Sequence, residues 1–419
     1  MKKGYKMNEK QVYHGIWRVP DGVPRFQDSE LMGTLTIESD GSSKLEVYII
    51  QRKMPSFRSY REYAVIWGDT ADGIKVTLFG ASSIRNDNKP EMFSMEFKVN
   101  KVFLGAHLKT GDEELFDFSL IKFQYLRNWA HTSGYQPYGL LMSTDLRVNN
   151  MLILDAQIEK GLQLKIHQHY DIMGGQFEQR AIQTAFITLH ASKMISANHF
   201  AEVAGKLSQF LSLALFSHQA PYEFIVIQNG ASQYNKVYQK TGDSTNPYNY
   251  SLIPFNELHD KLPTILTRWF DNYDQLSQIC HYLLSTMRDD EFDAPDFLII
   301  AQALDGFHKR FLNKRKGKDL RKYKEQIDAM LEEFRDVRAV TNCHIDSDVL
   351  ANTRHKYSHL IPDNEDKGNE VSGHELFRLT QKAKVLLTCC ILDLLGLTHK
   401  EIDLCFEKSV FKSVIASFY

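Results

Sequence analysis

Residues 352–360 read Asn352-Thr353-Arg354-His355-Lys356-Tyr357-Ser358-His359-Leu360, with apolar residues at Val349, Leu350 and Ile361 on either side. A guanidinium is permanently charged and offers phosphate oxygens a planar fork, whereas imidazole exchanges a proton near neutral pH. Placed this close together, Arg354, His355 and His359 suit the cleavage of a phosphodiester. The spacing predicts a helix over Ser347 to Leu360. At roughly 100° per residue, His355 and His359 lie about 40° apart around its axis, and Arg354 and His359 about 140° apart. One intact helix therefore does not aim Arg354 and His359 at the same atom. Either the helix loosens near Ser358, ahead of Pro362, or two chains combine their residues across a two-fold axis.

The surrounding C-terminal sequence is helical in its periodicity. Trp269, Tyr273, Leu276, Ile279, Leu283 and Leu284 space one long helix, which ends near the acidic stretch Asp289 to Asp293. A second runs from Pro295 to Leu312 with an apolar stripe at Ile300, Leu304, Phe307 and Phe311. A third covers about Tyr323 to Arg335. The helix after the motif, Ser372 to Leu395, opens with the capping-box pattern Ser372-Gly-His-Glu375 and stops at Gly396. From Leu258 onward there is almost no strand pattern, so this part reads as an all-α bundle.

The N-terminal part reads differently. Runs such as Thr34 to Ile37, Lys44 to Ile50 and Ile74 to Phe79 are β-rich, and Asp40-Gly41 and Asp72-Gly73 supply turns. A second strand-rich tract lies between Leu140 and Leu189, and Ser119 to Ala130 between the tracts is expected to be helical. An amphipathic helix over Phe200 to Phe216 and a strand over Phe224 to Ile227 follow. Trp17 and Trp129 are expected to anchor cores. The polar loop Gln239 to Tyr250 marks the boundary, giving a β-rich domain 1–245 and a helical domain 246–419. The fold class expected is α+β, an antiparallel β-rich N-terminal domain followed by an all-α bundle.

Composition narrows the function. Hydrophobic residues make up 43% and charged residues 24%, as in ordinary globular proteins, which disfavours disorder and coiled-coil classes. A formal charge of -2 gives no global attraction to nucleic acid, so any RNA contact needs a local basic patch. One such run, His308 to Lys324, holds Lys314, Arg315, Lys316, Lys318 and Arg321 against the single acid Asp319. A solvated linker is the plainer reading of the same run. Five cysteines without a C-x-x-C pair argue against a disulfide framework or zinc ribbon and suit a cytoplasmic protein. The basic N-terminus is followed by no apolar run, and Val385 to Leu397 is too short to span a bilayer, so no membrane association is expected. The pair His355 and His359 also has zinc-site spacing, which would need a third ligand such as His344 or His374. No metal and no cofactor are expected.

The motif Arg354-His355-x3-His359 resembles the R-x4-H signature of the HEPN superfamily. The helices before and after it are spaced as in Apea-like HEPN proteins of anti-phage defence. Gly15-Ile-Trp17, Pro20, Pro24, Gly33 to Ile37 and Leu126-Arg-Asn-Trp129 resemble their N-terminal domain. The resemblance implies a metal-independent endoribonuclease acting on RNA (tRNA or mRNA) as a homodimer, with a phage-derived trigger acting at the N-terminal domain. It assigns catalysis to Arg354, His355 and His359, and support to Asp305 and Tyr357. The alternatives are a non-catalytic HEPN-like module that binds nucleotide or protein, and a ligand- or carbohydrate-binding β domain dimerised by the bundle. The blandest reading of the motif is an Arg354 ion pair at the bundle surface with both imidazoles in solvent.

Overall fold

The computed structural model describes residues 10–20, 31–50, 62–89, 92–130, 151–175, 178–228, 234–240, 244–245, 251–286, 294–313, 320–362, 369–409 and 411–416. The first six strands are β1 (Gln11–Arg18), β2 (Leu31–Ile37), β3 (Ser43–Ile50), β4 (Glu62–Thr70), β5 (Lys75–Lys89) and β6 (Met92–Leu104). They pair antiparallel in the order β3-β2-β1-β4-β5-β6, and β3 also pairs with β6, which closes a barrel. Closure leaves these strands no free edge. Gly41 and Gly73 take φ +78° in the Asp-Gly turns, a conformation that side chains other than glycine seldom adopt.

The barrel interior is built around Trp17, which is 1% exposed and packs with Leu35, Leu45, Leu78 and Phe97. Two strand glycines make room for its indole. A Cβ on Gly68 would lie 2.2 Å from a Trp17 ring carbon, and one on Gly33 would lie 3.0 Å from another. Gly68→Ala is therefore expected to destabilise the protein by about 1–3 kcal/mol through overpacking. Denaturant unfolding would read this, and an unchanged midpoint would contradict the account of the indole.

The end of β6, Lys101 to Leu104, stays paired with β5 of the barrel on one edge and on the other pairs with a second sheet. Its strands are β7 (Glu114–Phe123), β8 (Met151–Glu159), β9 (Leu162–Gly175), β10 (Glu178–Ser196), β11 (Pro221–Ile227) and β12 (Tyr234–Gln239). The order is β6-β12-β11-β7-β10-β9-β8. Ile121, Leu164, Ile166, Ile187 and Leu189 are buried in one core with α2 (Ala197–Leu215). Helix α2 starts at Ser196, whose hydroxyl accepts from the His199 amide, and contributes Phe200, Val203, Leu207, Phe210 and Leu211. The helix expected over Ser119 to Ala130 is absent: Ser119 to Phe123 finish β7, and only Leu126–Trp129 is helical, as α1. Ser119, Ile121 and Phe123 alternate with less buried Leu120 and Lys122, and β7 is paired on both sides, by β10 and β11. Period-two burial and two ladders outweigh any local helical preference.

Helices α3 (Leu262–Ser285), α4 (Ala294–Phe307), α5 (Tyr323–Glu333), α6 (Arg338–Cys343), α7 (Ser347–His359), α8 (Gly373–Leu394), α9 (His399–Glu407) and α10 (Phe411–Ala416) form the bundle. A π-helical turn, His308–Leu312, extends α4. Helix α8 is the central element, buried from Leu376 to Leu392 and packed on α4, α6 and α9. Helix α3 joins the two halves, touching β8 and α2 on one side and α4 on the other. Trp129 reinforces this joint, its indole N–H donating to the Ile253 carbonyl at 2.7 Å, and one apolar core runs from Phe103 through Phe411. The architecture is the α+β arrangement read from the sequence. Ser372 does precede α8, but its side chain makes no capping bond. Gly373 turns through φ +53° directly after it and displaces the hydroxyl from the helix start. The capping box of this region is instead Thr398 with Glu401, at α9.

All five cysteines are buried and unpaired. Lys384 is also buried in the bundle. Its amine donates to the Thr286 carbonyl at 2.6 Å, and burial pushes its pKa down to about 8 despite the opposing influence of Asp296. Among the described residues no helix is long and apolar enough to cross a membrane.

Candidate functional site

Helix α7 carries the motif and is fixed along its length. Asp346 caps it by accepting from the Asp348 and Val349 amides. Lys324 of α5 ties the same end down, reaching Ser347 Oγ at 3.1 Å and Asp348 at 3.3 Å. On the inner face Leu350 and Thr353 are fully buried, and the Thr353 hydroxyl accepts from the Val371 amide, which anchors the approach to α8. The helix stays regular through His359 and is ended by Leu360 at φ +52°. Loosening near Ser358, one of the two geometric options, does not occur.

The regular helix separates the motif side chains as its pitch requires. Arg354 turns inward. Its guanidinium carbon lies 4.5 Å from the centre of the Tyr323 ring, on α5, and Nη2 lies 3.6 Å from Asp305 Oδ2, on α4. The latter distance is an ion pair too long to be a hydrogen bond. Asp305 also receives Lys309 at 2.9 Å. Burial raises the Tyr323 phenol far above its ordinary pKa, with Arg354 opposing that shift and Asp305 adding to it. His355 and His359 stand on the exposed side of α7, their ring centres 4.6 Å apart. Tyr357 is half-buried and meets Phe297 of α4 edge-on, which is a packing contact.

Asp305 thus lies against the guanidinium and not against an imidazole. Tyr323 was not among the residues expected at the site. It is distant from the motif in the chain, and only its place near the end of the basic run hints at it. Of that run, Lys314, Arg315, Lys316 and Lys318 lie outside the described residues, while Arg321 is exposed just ahead of α5. His344 ends α6 at φ +45°, and the His374 ring stacks against Phe377. Among the described residues no group of three or more His, Cys, Asp or Glu side chains is arranged to hold a metal ion. The bland expectation, an Arg354 ion pair with both imidazoles facing solvent, describes these contacts as far as they go.

Comparison with protein families supplies a separate line. The model described as ApeA N-terminal domain 1 matches residues 12–269, more than half of the chain. The chain belongs to the ApeA family. The Apea-like HEPN model matches residues 344–401, which include α7 with Arg354, His355 and His359 and the whole of α8. The ApeA N-terminal match takes in the barrel, the second sheet and the first turns of α3, and so runs past the polar loop at 239–250. Asp305 and Tyr323 fall between the two matched ranges. No curated protein and no solved structure matches this ApeA-type HEPN protein.

Proposed function

We propose that this ApeA-type protein is an anti-phage endoribonuclease that cuts RNA without a metal ion. The observation that carries the reading is the Apea-like HEPN match over a helix bearing Arg354, His355 and His359. In this chemistry a ribose 2′-hydroxyl attacks the adjacent phosphorus and the 5′-oxygen leaves. The products are a 2′,3′-cyclic phosphate and a 5′-hydroxyl end. The 2′-oxygen gives up a proton and the leaving oxygen takes one, and an imidazole serves in either role. His359 is assigned this proton transfer. Arg354 meets the charge that develops on the phosphorane oxygens. His355, beside His359, holds the phosphate.

Arg354 and His359 diverge on a regular helix, so the reading includes a homodimer in which Arg354 of one protomer and His359 of its partner share one phosphate. Leu360, which directly follows the motif, is exposed and available to such an interface. In the helical part, among the described residues, the large apolar side chains left exposed are Leu360 at 86% and Phe377 at 37%. The basic run from Lys314 to Arg321 is assigned nonspecific phosphate contacts, the N-terminal domain the sensing of a phage-derived trigger, and the protein a place in the cytoplasm.

Asp305→Ala tests the role given to Arg354. Loss of its carboxylate partner frees the guanidinium, and because orientation matters more to the transition state than to binding, kcat is expected to fall about tenfold with little change in KM. Steady-state cleavage of a defined RNA reads both constants. Unchanged kcat would leave the Asp305 contact as an ordinary surface ion pair.

A further inference from the structure

One end of the barrel, where β1 and β5 begin and β6 ends, opens into a cleft of about 720 Å³ lined by Gln11, Tyr13, Ile74, Leu104, Gly105, Tyr234, Lys236 and Tyr238. Small-molecule sites occupy roughly 300–1,000 Å³ and favour the mouths of β-barrels. The cleft lies outside the helical motif and is made of elements from both sheets.

Its polar groups are arranged. The Tyr13 hydroxyl donates to Gln11 Oε1 at 2.7 Å and the Tyr238 hydroxyl donates to the same oxygen at 3.2 Å. Both lone pairs of that oxygen are thereby occupied, which fixes the amide and leaves its N–H groups as the donors. Among the described residues no acceptor meets them. Tyr234, a large aromatic side chain in the cleft lining, is 56% exposed. Lys236 pairs with Glu223 at 3.5 Å, but Glu223 is held more closely by Lys122, at 2.6 Å. Two lysines share one carboxylate, so the group carries a net positive charge at the Lys236 side. Asp72 acts electrostatically on Tyr13, which disfavours an anion beside Tyr13.

We infer that the barrel mouth binds a nucleoside monophosphate. A flat base stacks on Tyr234, its carbonyl edge accepts from the Gln11 amide, and the phosphate lies at Lys236. A neutral sugar would satisfy the tyrosines and the amide but leave the cation unused. Aromatic stacking and a charge-assisted contact each contribute enough to be read separately. The site does not depend on the ribonuclease reading.

The test is isothermal titration of the full chain with the four ribonucleoside monophosphates and the matching nucleosides. At least one monophosphate is expected to bind, one per chain, more tightly than its nucleoside. Lys236→Met is expected to reduce the monophosphate's affinity to that of the nucleoside, and Tyr234→Ala and Gln11→Leu to weaken both about tenfold. Tyr234 and Lys236 are exposed enough for their variants to fold, and thermal melts check this. Arg354→Ala should bind as wild type does. Absence of binding at millimolar nucleotide would overturn the proposal, as would binding that survives both Tyr234→Ala and Lys236→Met, or binding that Arg354→Ala removes.

Discussion

Arg354→Ala is expected to lower RNA cleavage by about 10² to 10³, the range seen when one donor to a developing oxyanion is removed. His359→Ala is expected to lower it by about 10² to 10⁴, the range for losing a general acid or base. Neither change should unfold the protein. His359 is exposed, and Arg354 is a third exposed, its guanidinium reaching inward to Tyr323 and Asp305 without being part of the apolar core. The loss should fall on kcat and kcat/KM together, because both groups act on charge and protons that move only in the transition state. Cleavage assays on variants with wild-type melting curves give the answer. A folded Arg354→Ala protein that still cuts at the wild-type rate would return Arg354 to an ion pair with Asp305 and nothing more.

The second large effect concerns assembly. Arg354→Ala and His359→Ala proteins, each inactive alone, should regain activity when mixed and allowed to exchange subunits. In a two-fold dimer each site takes Arg354 from one protomer and His359 from the other. A mixed dimer of the two variants therefore has one site with both groups intact and one with neither. Half of the dimers are mixed at random exchange, so recovery of about a quarter of the wild-type rate is expected on this symmetry argument. A preparation that stays inactive after mass measurement has shown mixed dimers would place both groups of a working site on one chain. So would a fully active monomer by light scattering.

The legibility of this chain follows the range of the interactions concerned. Helices α2 and α3 were readable because their apolar residues repeat within a turn, a signal contained in the segment itself. The divergence of Arg354 from His359 was readable for the same reason, since it depends only on helical pitch. Strand β7 was not, because Ser119 to Phe123 becomes a strand through pairing with β10 and β11, which lie far along the chain. Closure of the barrel by β3 on β6 is equally nonlocal. The stacking of Arg354 on Tyr323 depends on how α5 packs against α7, and no spacing within either segment encodes it. At Ser372 a good local pattern failed because its neighbour Gly373 adopts a left-handed turn. The spacing of Arg354, His355 and His359 was visible from the start, but pattern alone did not separate chemistry from an exposed ion pair. The Apea-like HEPN match covers the same residues, and the catalytic reading proposed above rests on it.

The most direct measurement is cleavage of total cellular RNA by the purified chain in the presence of EDTA, with the ends of the fragments characterised. The account predicts cutting that EDTA does not reduce, fragments ending in 2′,3′-cyclic phosphate and 5′-hydroxyl groups, and no cutting by the His359→Ala protein. Cleavage abolished by EDTA, or fragments carrying 5′-phosphate and 3′-hydroxyl ends, would contradict it.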